Sequence, residues 1–349
     1  MKFDMKQFLI SISFLLDFIE IDILDDITNH GKRVAYISLK IGENYNLDEE
    51  ELFTLVGFAI MHDIGGVENK EDVGKTELEK IKSHCIIGEN SIKRFPLFED
   101  YENIILYHHE HYDGSGFFNT SKDEIPLFSQ IIAIADFFEL YYHNIENRNE
   151  MIEKIKMQKN KRFSPEIINK FLKTTSNEAF WLNLQDEFIL SAIREETPDY
   201  YLEGSYNDLQ ELTAIFSDIT DSKSKYTKNH SKKLSKKVET ISNYYNFSNQ
   251  KTTKLMIAAD LHDIGKLAIS NDILNKNSKL TQNEYQKVKA HSFYTRRVLE
   301  PIDGFEDIKR WASNHHEKND GSGYPYGLNK KDLDFPSQLL AVLDIYQAL

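Results

Sequence analysis

An internal repeat of histidines and aspartates constrains the fold of this chain more than any other feature of its sequence. Five histidines and two aspartates occur in each half, in the same order. In the first half they are His30, His62, Asp63, His84, His108, His109 and Asp136. In the second half they are His230, His262, Asp263, His291, His315, His316 and Asp344. The offset between the copies is 200 positions for the first three residues, 207 for the next three and 208 for the last, which predicts a duplicated domain.

The residues around these motifs predict helices almost throughout. Val34, Ile37 and Ile41 recur with the spacing of one helical face, and His30 lies one turn before them. The run from Leu255 to His262 shows the same spacing. Sustained alternation of apolar and polar residues, which would indicate strands, is absent from the sequence. The predicted fold class is therefore all-α, with two helical bundle domains in tandem.

Turn-forming residues predict where the two domains meet. Pro198, Gly204 and Ser205 cluster between the repeats. Far fewer residues follow Asp344 than follow Asp136, so we expect the second domain to be truncated at its C-terminal end. The predicted limits are 1–197 for the first domain, 198–205 for a linker and 206–349 for the second domain.

Two local patterns predict helices outside the repeated motifs. Ser164 and Pro165 are typical of the capped start of a helix, which we assign to the first domain. The apolar run from Phe8 to Ile19 is too short to span a bilayer and contains Asp17. It therefore predicts a core helix, and we expect no membrane association.

Charge and cysteine content argue against several classes of protein. The formal net charge is −14, which disfavours binding to duplex nucleic acid, since such binding needs a basic surface. The single cysteine, Cys85, cannot form a disulfide within the chain, and this favours a cytoplasmic protein. Because Cys85 follows His84, two interpretations stay open: a small buried hydrophobic residue, which we favour, and a metal ligand.

The repeated residue types predict a metal centre. Imidazoles and carboxylates in this number can hold two first-row metal ions, such as iron or manganese, and two such ions can activate a water and clamp a phosphodiester. A single His-Asp pair would be weak evidence, because an inward histidine is commonly a hydrogen-bonded core residue. The repetition of the whole set favours metal binding. We predict two divalent ions in the second half, and metal binding is an expectation for the first half as well.

Longer strings in the second half resemble the HD-GYP family of bacterial phosphodiesterases. They are "HDIGK" (His262 to Lys266), "HHEKNDGSGYP" (His315 to Pro325) and "LLAVLD" (Leu339 to Asp344). The resemblance implies two tandem HD-type helical bundle domains, with the seven residues of each half as metal ligands. It implies that Asp263 bridges the metals and that Lys266 contacts the phosphate, and we predict both as catalytic residues. The substrate-binding residues that it implies are Lys266, Asp320, Gly323, Tyr324 and Pro325.

The resemblance implies hydrolysis of a cyclic dinucleotide to a linear dinucleotide through a metal-bridged hydroxide. We expect cyclic di-GMP as the first substrate to consider. Two alternatives stay open: an HD-type phosphohydrolase acting on mononucleotides or alarmones, and a non-catalytic metal- or nucleotide-binding regulatory module.

The first half departs from the family pattern at three places. Gly66 stands where the lysine is expected, and Phe117 and Phe118 replace the Tyr-Pro pair. The first half is also seven residues shorter between its His-Asp pair and the next histidine. We interpret it as catalytically weak or silent, with a regulatory or structural role such as homodimerisation or ligand sensing. Asp26 lies where some members supply a third-metal ligand, whereas the second half has Tyr226 there.

Several lysines surround His230. We interpret them as a solvated helix face, with attraction of an anionic substrate as the alternative. They are Lys223, Lys225, Lys228, Lys232, Lys233, Lys236 and Lys237.

Overall fold

A computed structural model describes residues 2–24, 29–67, 76–142, 147–224 and 229–349. Sixteen α-helices and two short strands make up the regular structure of these described residues, apart from short 3-10 turns. The first part of the chain contains β1 (Lys2–Asp4), α1 (Met5–Leu24), α2 (His30–Asn44), α3 (Glu49–Ile60), α4 (Glu77–Ile92), α5 (Leu127–Tyr141), α6 (Arg148–Met157), α7 (Pro165–Thr175), α8 (Glu178–Asn183) and α9 (Ile189–Glu196). The second part contains β2 (Tyr201–Glu203), α10 (Tyr206–Ser222), α11 (His230–Tyr244), α12 (Asn249–Leu261), α13 (Asn271–Leu274), α14 (Gln282–Leu299), α15 (Glu306–Ser313) and α16 (Phe335–Ala348).

The all-α prediction is confirmed, with one small exception. Strands β1 and β2 pair antiparallel, with Phe3 opposite Leu202. Each strand has only three residues, which is too few to produce a recognisable alternation in the sequence. These two strands are therefore too short to be predicted from the sequence pattern.

Contacts divide the chain into two compact units. The C-terminal unit contains residues 201–349 together with β1, and the N-terminal unit contains the described residues of 5–66 and 76–200. The division falls between Tyr200 and Tyr201. The finer limits, with a separate linker over 198–205, stay a prediction.

Helix α1 is a core helix, as predicted. Phe8, Ile12 and Leu15 are buried in it. Asp17, the charged residue within the apolar run, is buried too and forms an ion pair with Lys32 of α2. Among the helices of the described residues, none combines the length and the apolar character needed to cross a bilayer.

Other local predictions are also confirmed. Val34, Ile37 and Ile41 are fully buried on one face of α2. The side chain of Ser164 accepts a hydrogen bond from the amide of Ile167 and so caps α7. An apolar helical face and a side-chain cap are encoded within a few residues, so pattern analysis can find them.

Glycine allows a turn and a helix to approach closely in each unit. A Cβ on Gly265 would stand 2.0 Å from the carbonyl oxygen of His291 in α14. A Cβ on Gly65 would stand equally close, 2.0 Å, to the carbonyl oxygen of His84 in α4. This approach brings the residues just before each glycine against the helix that carries the next histidine of the repeat.

Candidate metal centre

The C-terminal unit brings its seven repeated residues together from five segments. His262 directly follows α12, and Asp263 precedes a 3-10 turn over Ile264–Ala268. The others are His230 at the start of α11, His291 in α14, His315 and His316 after α15, and Asp344 in α16. Residues up to 114 positions apart thus meet in one place.

Six of the seven residues form two groups of three. His230, His262 and Asp344 make one, and their candidate ligand atoms lie within 4.8 Å of one another. Asp344 Oδ1 lies 2.9 Å from His230 Nε2 and 3.6 Å from His262 Nε2. The second group is His291, His315 and His316, with the same limit of 4.8 Å.

Asp263 connects the two groups. Its Oδ2 lies 3.3 Å from His262 Nε2. Its Oδ1 lies 3.4 Å from His291 Nε2 and 3.8 Å from His315 Nε2. Each carboxylate oxygen therefore faces one group, as a bridging ligand must.

Backbone carbonyls fix the orientation of three of the histidines. In each case Nδ1 donates to the carbonyl oxygen three residues earlier, which directs Nε2 at the centre. The pairs are His262–Ala259 at 2.7 Å, His291–Val288 at 2.6 Å and His315–Ala312 at 2.6 Å.

Electrostatics keep most of these imidazoles neutral. Burial lowers the pKa of His291, His315 and His316 to about 3, so their lone pairs are available for a metal at neutral pH. Burial acts in the same direction on His262, but the carboxylates of Asp263 and Asp344 outweigh it and raise the pKa of His262 to about 10. The two carboxylates thus favour a positive charge between them.

The donor atoms fit a divalent cation. His262 Nε2 and Asp263 Oδ1 are buried and have no hydrogen-bond partner among the described residues. Buried polar atoms left without a partner destabilise a fold by about 1–3 kcal/mol each, so such atoms aimed at a common centre indicate a missing partner. A set of imidazoles and carboxylates suits first-row divalent ions.

Lys266 lies beside the bridging carboxylate. Its Nζ is 2.5 Å from Asp263 Oδ2, and the side chain is 20% exposed. Burial would raise the pKa of Asp263, but His262 and Lys266 hold it well below its ordinary value. The ammonium group is therefore placed between the carboxylate and solvent.

The loop after the double histidine carries the remaining predicted residues. The ring of Tyr324 lies 4.7 Å from that of His316, and Pro325 follows it through a cis peptide bond. Asp320 is exposed and accepts a 2.9 Å hydrogen bond from the amide of Ser322. Tyr324 is thus adjacent to the histidines, whereas the Asp320 carboxylate stabilises the turn.

Glu317, which was not predicted from the sequence as a site residue, holds this loop. Glu317 is buried and accepts hydrogen bonds from the amides of Tyr326, at 2.7 Å, and Leu328, at 2.9 Å. A Cβ on Gly323 would stand 2.5 Å from the Glu317 Cα, so Gly323 permits close packing of the loop on this residue. The signal was present, because Glu317 is the third letter of the HHE string.

Two further residues near the site had no sequence signal. Asp221 is buried and accepts hydrogen bonds from the amide and hydroxyl of Ser231, at 2.9 and 2.8 Å, which fixes the start of α11 at His230. Lys223 is buried, and its Nζ donates to the carbonyl of Leu267 at 2.6 Å. The interpretation of Lys223 as part of a solvated face is therefore wrong, because its ammonium has a backbone partner inside the unit.

The other lysines divide into two sets. Lys232, Lys233 and Lys236 are exposed on α11, as predicted for a solvated face, and Lys237 is half-buried. Lys225 and Lys228 lie outside the described residues, as do Asp26 and Tyr226, the positions considered for a third metal.

The N-terminal unit assembles the same seven residue types. Asp63 again stands between two groups, with Oδ2 3.4 Å from His62 Nε2 and Oδ1 3.5 Å from His84 Nε2. Two further pairs join Nε2 atoms, His30 to His62 and His84 to His108, both at 3.3 Å. Asp136 lies near two histidines, with Oδ1 3.5 Å from His30 Nε2 and Oδ2 3.9 Å from His109 Nδ1. At the position of Lys266 this unit has Gly66, so no ammonium lies beside Asp63 from that position.

His30 is oriented differently from its counterpart His230. Its Nδ1 forms a hydrogen bond with Glu139, which also accepts a 2.7 Å hydrogen bond from Arg33. The corresponding residues of the C-terminal unit are Gln347 and Lys233. A buried ion pair therefore supports the first histidine of the repeat in only one of the two described sites.

Comparison with known proteins gives matches over most of the chain. A family model described as HD domain matches residues 19–167 and again residues 214–349. A 3′3′-cGAMP-specific phosphodiesterase 1 of Vibrio cholerae is 29% identical over 342 residues, which cover 93% of this chain and 79% of that protein. The 3′3′-cGAMP-specific phosphodiesterase 3 of the same organism is 32% identical over 78% of this chain, but the match covers 59% of that protein. A cyclic di-GMP phosphodiesterase of Thermotoga maritima is 28% identical over 52% of this chain and 46% of its own length.

A solved structure shares the fold. The crystal structure of a cyclic GMP-AMP-specific phosphodiesterase of V. cholerae, V-cGAP3, matches with a TM-score of 0.68 and 23% identity, over 100% of this chain and 89% of that chain. This likeness confirms the predicted helical fold.

Proposed function

Because this chain belongs to the HD domain family, we propose that its C-terminal unit is a metal-dependent phosphodiesterase that opens a cyclic dinucleotide to a linear one. The observation that carries this proposal is the position of Asp263 between two buried histidine groups, with Lys266 Nζ 2.5 Å from its carboxylate.

The two groups of residues supply the ligands for two cations. His230, His262 and Asp344 would hold one ion, His291, His315 and His316 the other, and Asp263 both. Such ions lower the pKa of a water and neutralise the charge of a phosphodiester. Hydrolysis of a phosphate ester needs little more from the protein than positioning and charge stabilisation.

Lys266 would act on the reacting phosphate. Its ammonium lies next to the bridging carboxylate and is partly open to solvent, so a phosphate at the centre would come within its reach. There it can offset negative charge that develops in the transition state, or donate a proton to the leaving oxygen.

Tyr324 would contact the substrate beside the phosphate. Its ring lies against His316, and an aromatic face suits stacking with a nucleobase. Gly323 and Pro325 would shape the loop that presents the ring. Asp320, whose carboxylate is engaged by Ser322, would maintain the turn instead of binding substrate directly.

We propose 3′3′-cGAMP as the first substrate to test, ahead of the cyclic di-GMP expected from the sequence. The two relatives with the broadest matches described above are 3′3′-cGAMP-specific, with 93% and 78% of this chain covered. The match to the T. maritima relative, a cyclic di-GMP phosphodiesterase, covers 52% of this chain. Cyclic di-GMP therefore remains the second substrate in the assay.

The N-terminal unit would contribute no turnover of its own. It has Gly66 in place of the lysine and Phe117 and Phe118 in place of the Tyr-Pro pair. Its cluster would then serve stability or regulation.

The test is hydrolysis of nucleotides by the whole chain, loaded anaerobically with Fe²⁺ or Mn²⁺. Products of 3′3′-cGAMP, cyclic di-GMP, a mononucleotide and an alarmone would be separated by chromatography. We expect linear dinucleotide from a cyclic substrate, loss of this activity in Asp263→Asn, and its retention in the matched variant Asp63→Asn. Turnover restricted to mononucleotides or alarmones, or full activity of Asp263→Asn, would overturn the proposal.

A further inference from the structure

The N-terminal unit contains a potential metal ligand, a thiol, that the C-terminal unit lacks. Cys85 is fully buried in α4, next to His84. Its Sγ and the ligand atoms of His84, His108 and His109 all lie within 4.8 Å of one another. Four donor atoms, from α4 and from the segment before α5, thus lie close enough together to bind one ion.

The C-terminal unit has a hydroxyl where this unit has a thiol. Ser292 follows His291 as Cys85 follows His84, and its Oγ lies 3.2 Å from His291 Nε2. Since a thiolate is a softer ligand than a hydroxyl or a carboxylate, it favours zinc over manganese. The two units therefore differ in the chemistry of the donor set, although their histidines correspond one to one.

The distances suit a small tetrahedral ion. Zinc binds nitrogen at about 2.0–2.1 Å and sulfur at about 2.3 Å, so its ligand atoms stand roughly 3.3–3.8 Å apart. The His84–His108 pair is already 3.3 Å apart. Side-chain movements of about an ångström would bring the remaining atoms within this range.

We propose that the N-terminal unit binds zinc through Cys85, His84, His108 and His109. Binding releases the thiol proton to solvent and forms the zinc–thiolate bond. Four protein ligands close the coordination sphere, which is typical of a structural zinc site, whereas catalytic zinc sites keep a position open for water. The thiol thus gives the unit without the lysine a stabilising metal of its own.

The single cysteine makes this site testable by spectroscopy. With Co²⁺ as the probe, a thiolate ligand gives a charge-transfer band in the near ultraviolet, and in this chain only Cys85 can produce it. We expect the band in the wild-type chain and its complete loss in Cys85→Ser, which copies the natural residue of the other unit. The Ser292→Ala variant is the matched control and should retain the band.

Metal content gives a second, independent measurement. Zinc-loaded Cys85→Ser should contain about one equivalent less zinc per chain than wild type, while Ser292→Ala should contain the same amount. A wild-type chain that binds Co²⁺ without the charge-transfer band would overturn the proposal, and so would unchanged zinc content in Cys85→Ser. If Cys85→Ser does not fold, the wild-type cobalt spectrum alone decides. Neither measurement depends on hydrolysis, so failure of the proposed phosphodiesterase activity leaves this test intact.

Discussion

The two units assemble the same histidines and aspartates but differ in the turn that follows the His-Asp pair. In the C-terminal unit Lys266 places an ammonium 2.5 Å from the Asp263 carboxylate. In the N-terminal unit Gly66 occupies that position, and seven residues of the following segment are missing. The cluster of imidazoles and carboxylates is therefore present with the lysine in one unit and without it in the other, so its assembly does not depend on an ammonium at that position.

A second difference concerns the helix that carries the last aspartate. In α5, Ile134, Phe137 and Phe138 are buried, and α6 and α7 pack against this helix. The corresponding residues of α16 are Val342, Ile345 and Tyr346, which are 62%, 59% and 65% exposed. The same helix face is thus a core surface in one unit and a largely exposed surface in residues 201–349, although each helix still directs its aspartate at the centre.

Replacement of Lys266 is the substitution from which we expect the largest change in activity. Lys266→Met removes the ammonium beside Asp263 and should lower kcat for the cyclic dinucleotide by about 10²–10³-fold, as loss of one preorganised charge-stabilising group does. Gly66→Lys should leave the rate unchanged, because the following segment of that unit is seven residues shorter and the Tyr-Pro pair is replaced by Phe117 and Phe118. Steady-state kinetics measures both. An undiminished kcat in Lys266→Met would show that the ammonium has no part in the chemical step.

Removal of bound cations should destabilise both units. At a free cation concentration about 100 times the Kd, binding adds roughly 2.7 kcal/mol to the free energy of unfolding. Thermal unfolding with and without a chelator, in wild type and in Asp63→Asn and Asp263→Asn, measures which unit loses stability. An N-terminal transition that does not respond to the chelator would mean that its cluster is held by hydrogen bonds alone.

Substitution of Glu317 and of Glu110, the glutamates that hold the loop after the double histidine in each unit, should give a smaller difference in activity. In Glu317→Gln the side-chain carbonyl oxygen can still accept from one backbone amide, but the NH2 group would face the other N–H donor, so the loop carrying Tyr324 should shift and the rate should fall by about 10- to 100-fold. Glu110 accepts from the amides of Phe118 and Thr120, both at 2.8 Å, and Glu110→Gln should not change the rate. Equal losses in the two variants would imply that the N-terminal unit takes part in turnover.

The helix caps should show the smallest effect, and the same one in both units. Thr76 caps α4 and Thr281 caps α14, each in a reciprocal pair with the glutamate three residues later. Replacing either threonine by alanine should cost about 1 kcal/mol of stability. Hydrogen exchange of the first-turn amides measures the loss, with Thr→Ser variants as controls. A loss of several kcal/mol at either position would mean that the cap also holds the histidine of its helix in place.

Much of the cluster could be predicted from the sequence because the same seven residue types occur in both halves in the same order. The positions of His262 and Asp263 also follow from local patterns, since the apolar face of α12 ends at them. The supporting residues could not be found in this way. Glu139 meets Arg33 over a separation of 106 residues, and the buried partner of Lys223 is a backbone carbonyl 44 residues away. Such contacts depend on how helices pack against one another, and the spacing of residues along the sequence does not predict them.

The hydrogen bonds from Nδ1 to the backbone in the C-terminal unit have a consequence for how quickly and how tightly an ion can bind. His262, His291 and His315 are each tied to the helical turn just before them. Their rings have lost rotational freedom when the helices form, so an arriving ion would not have to immobilise them. Ion uptake should then proceed without rearrangement of these three side chains, and its entropy change should come mainly from the release of water.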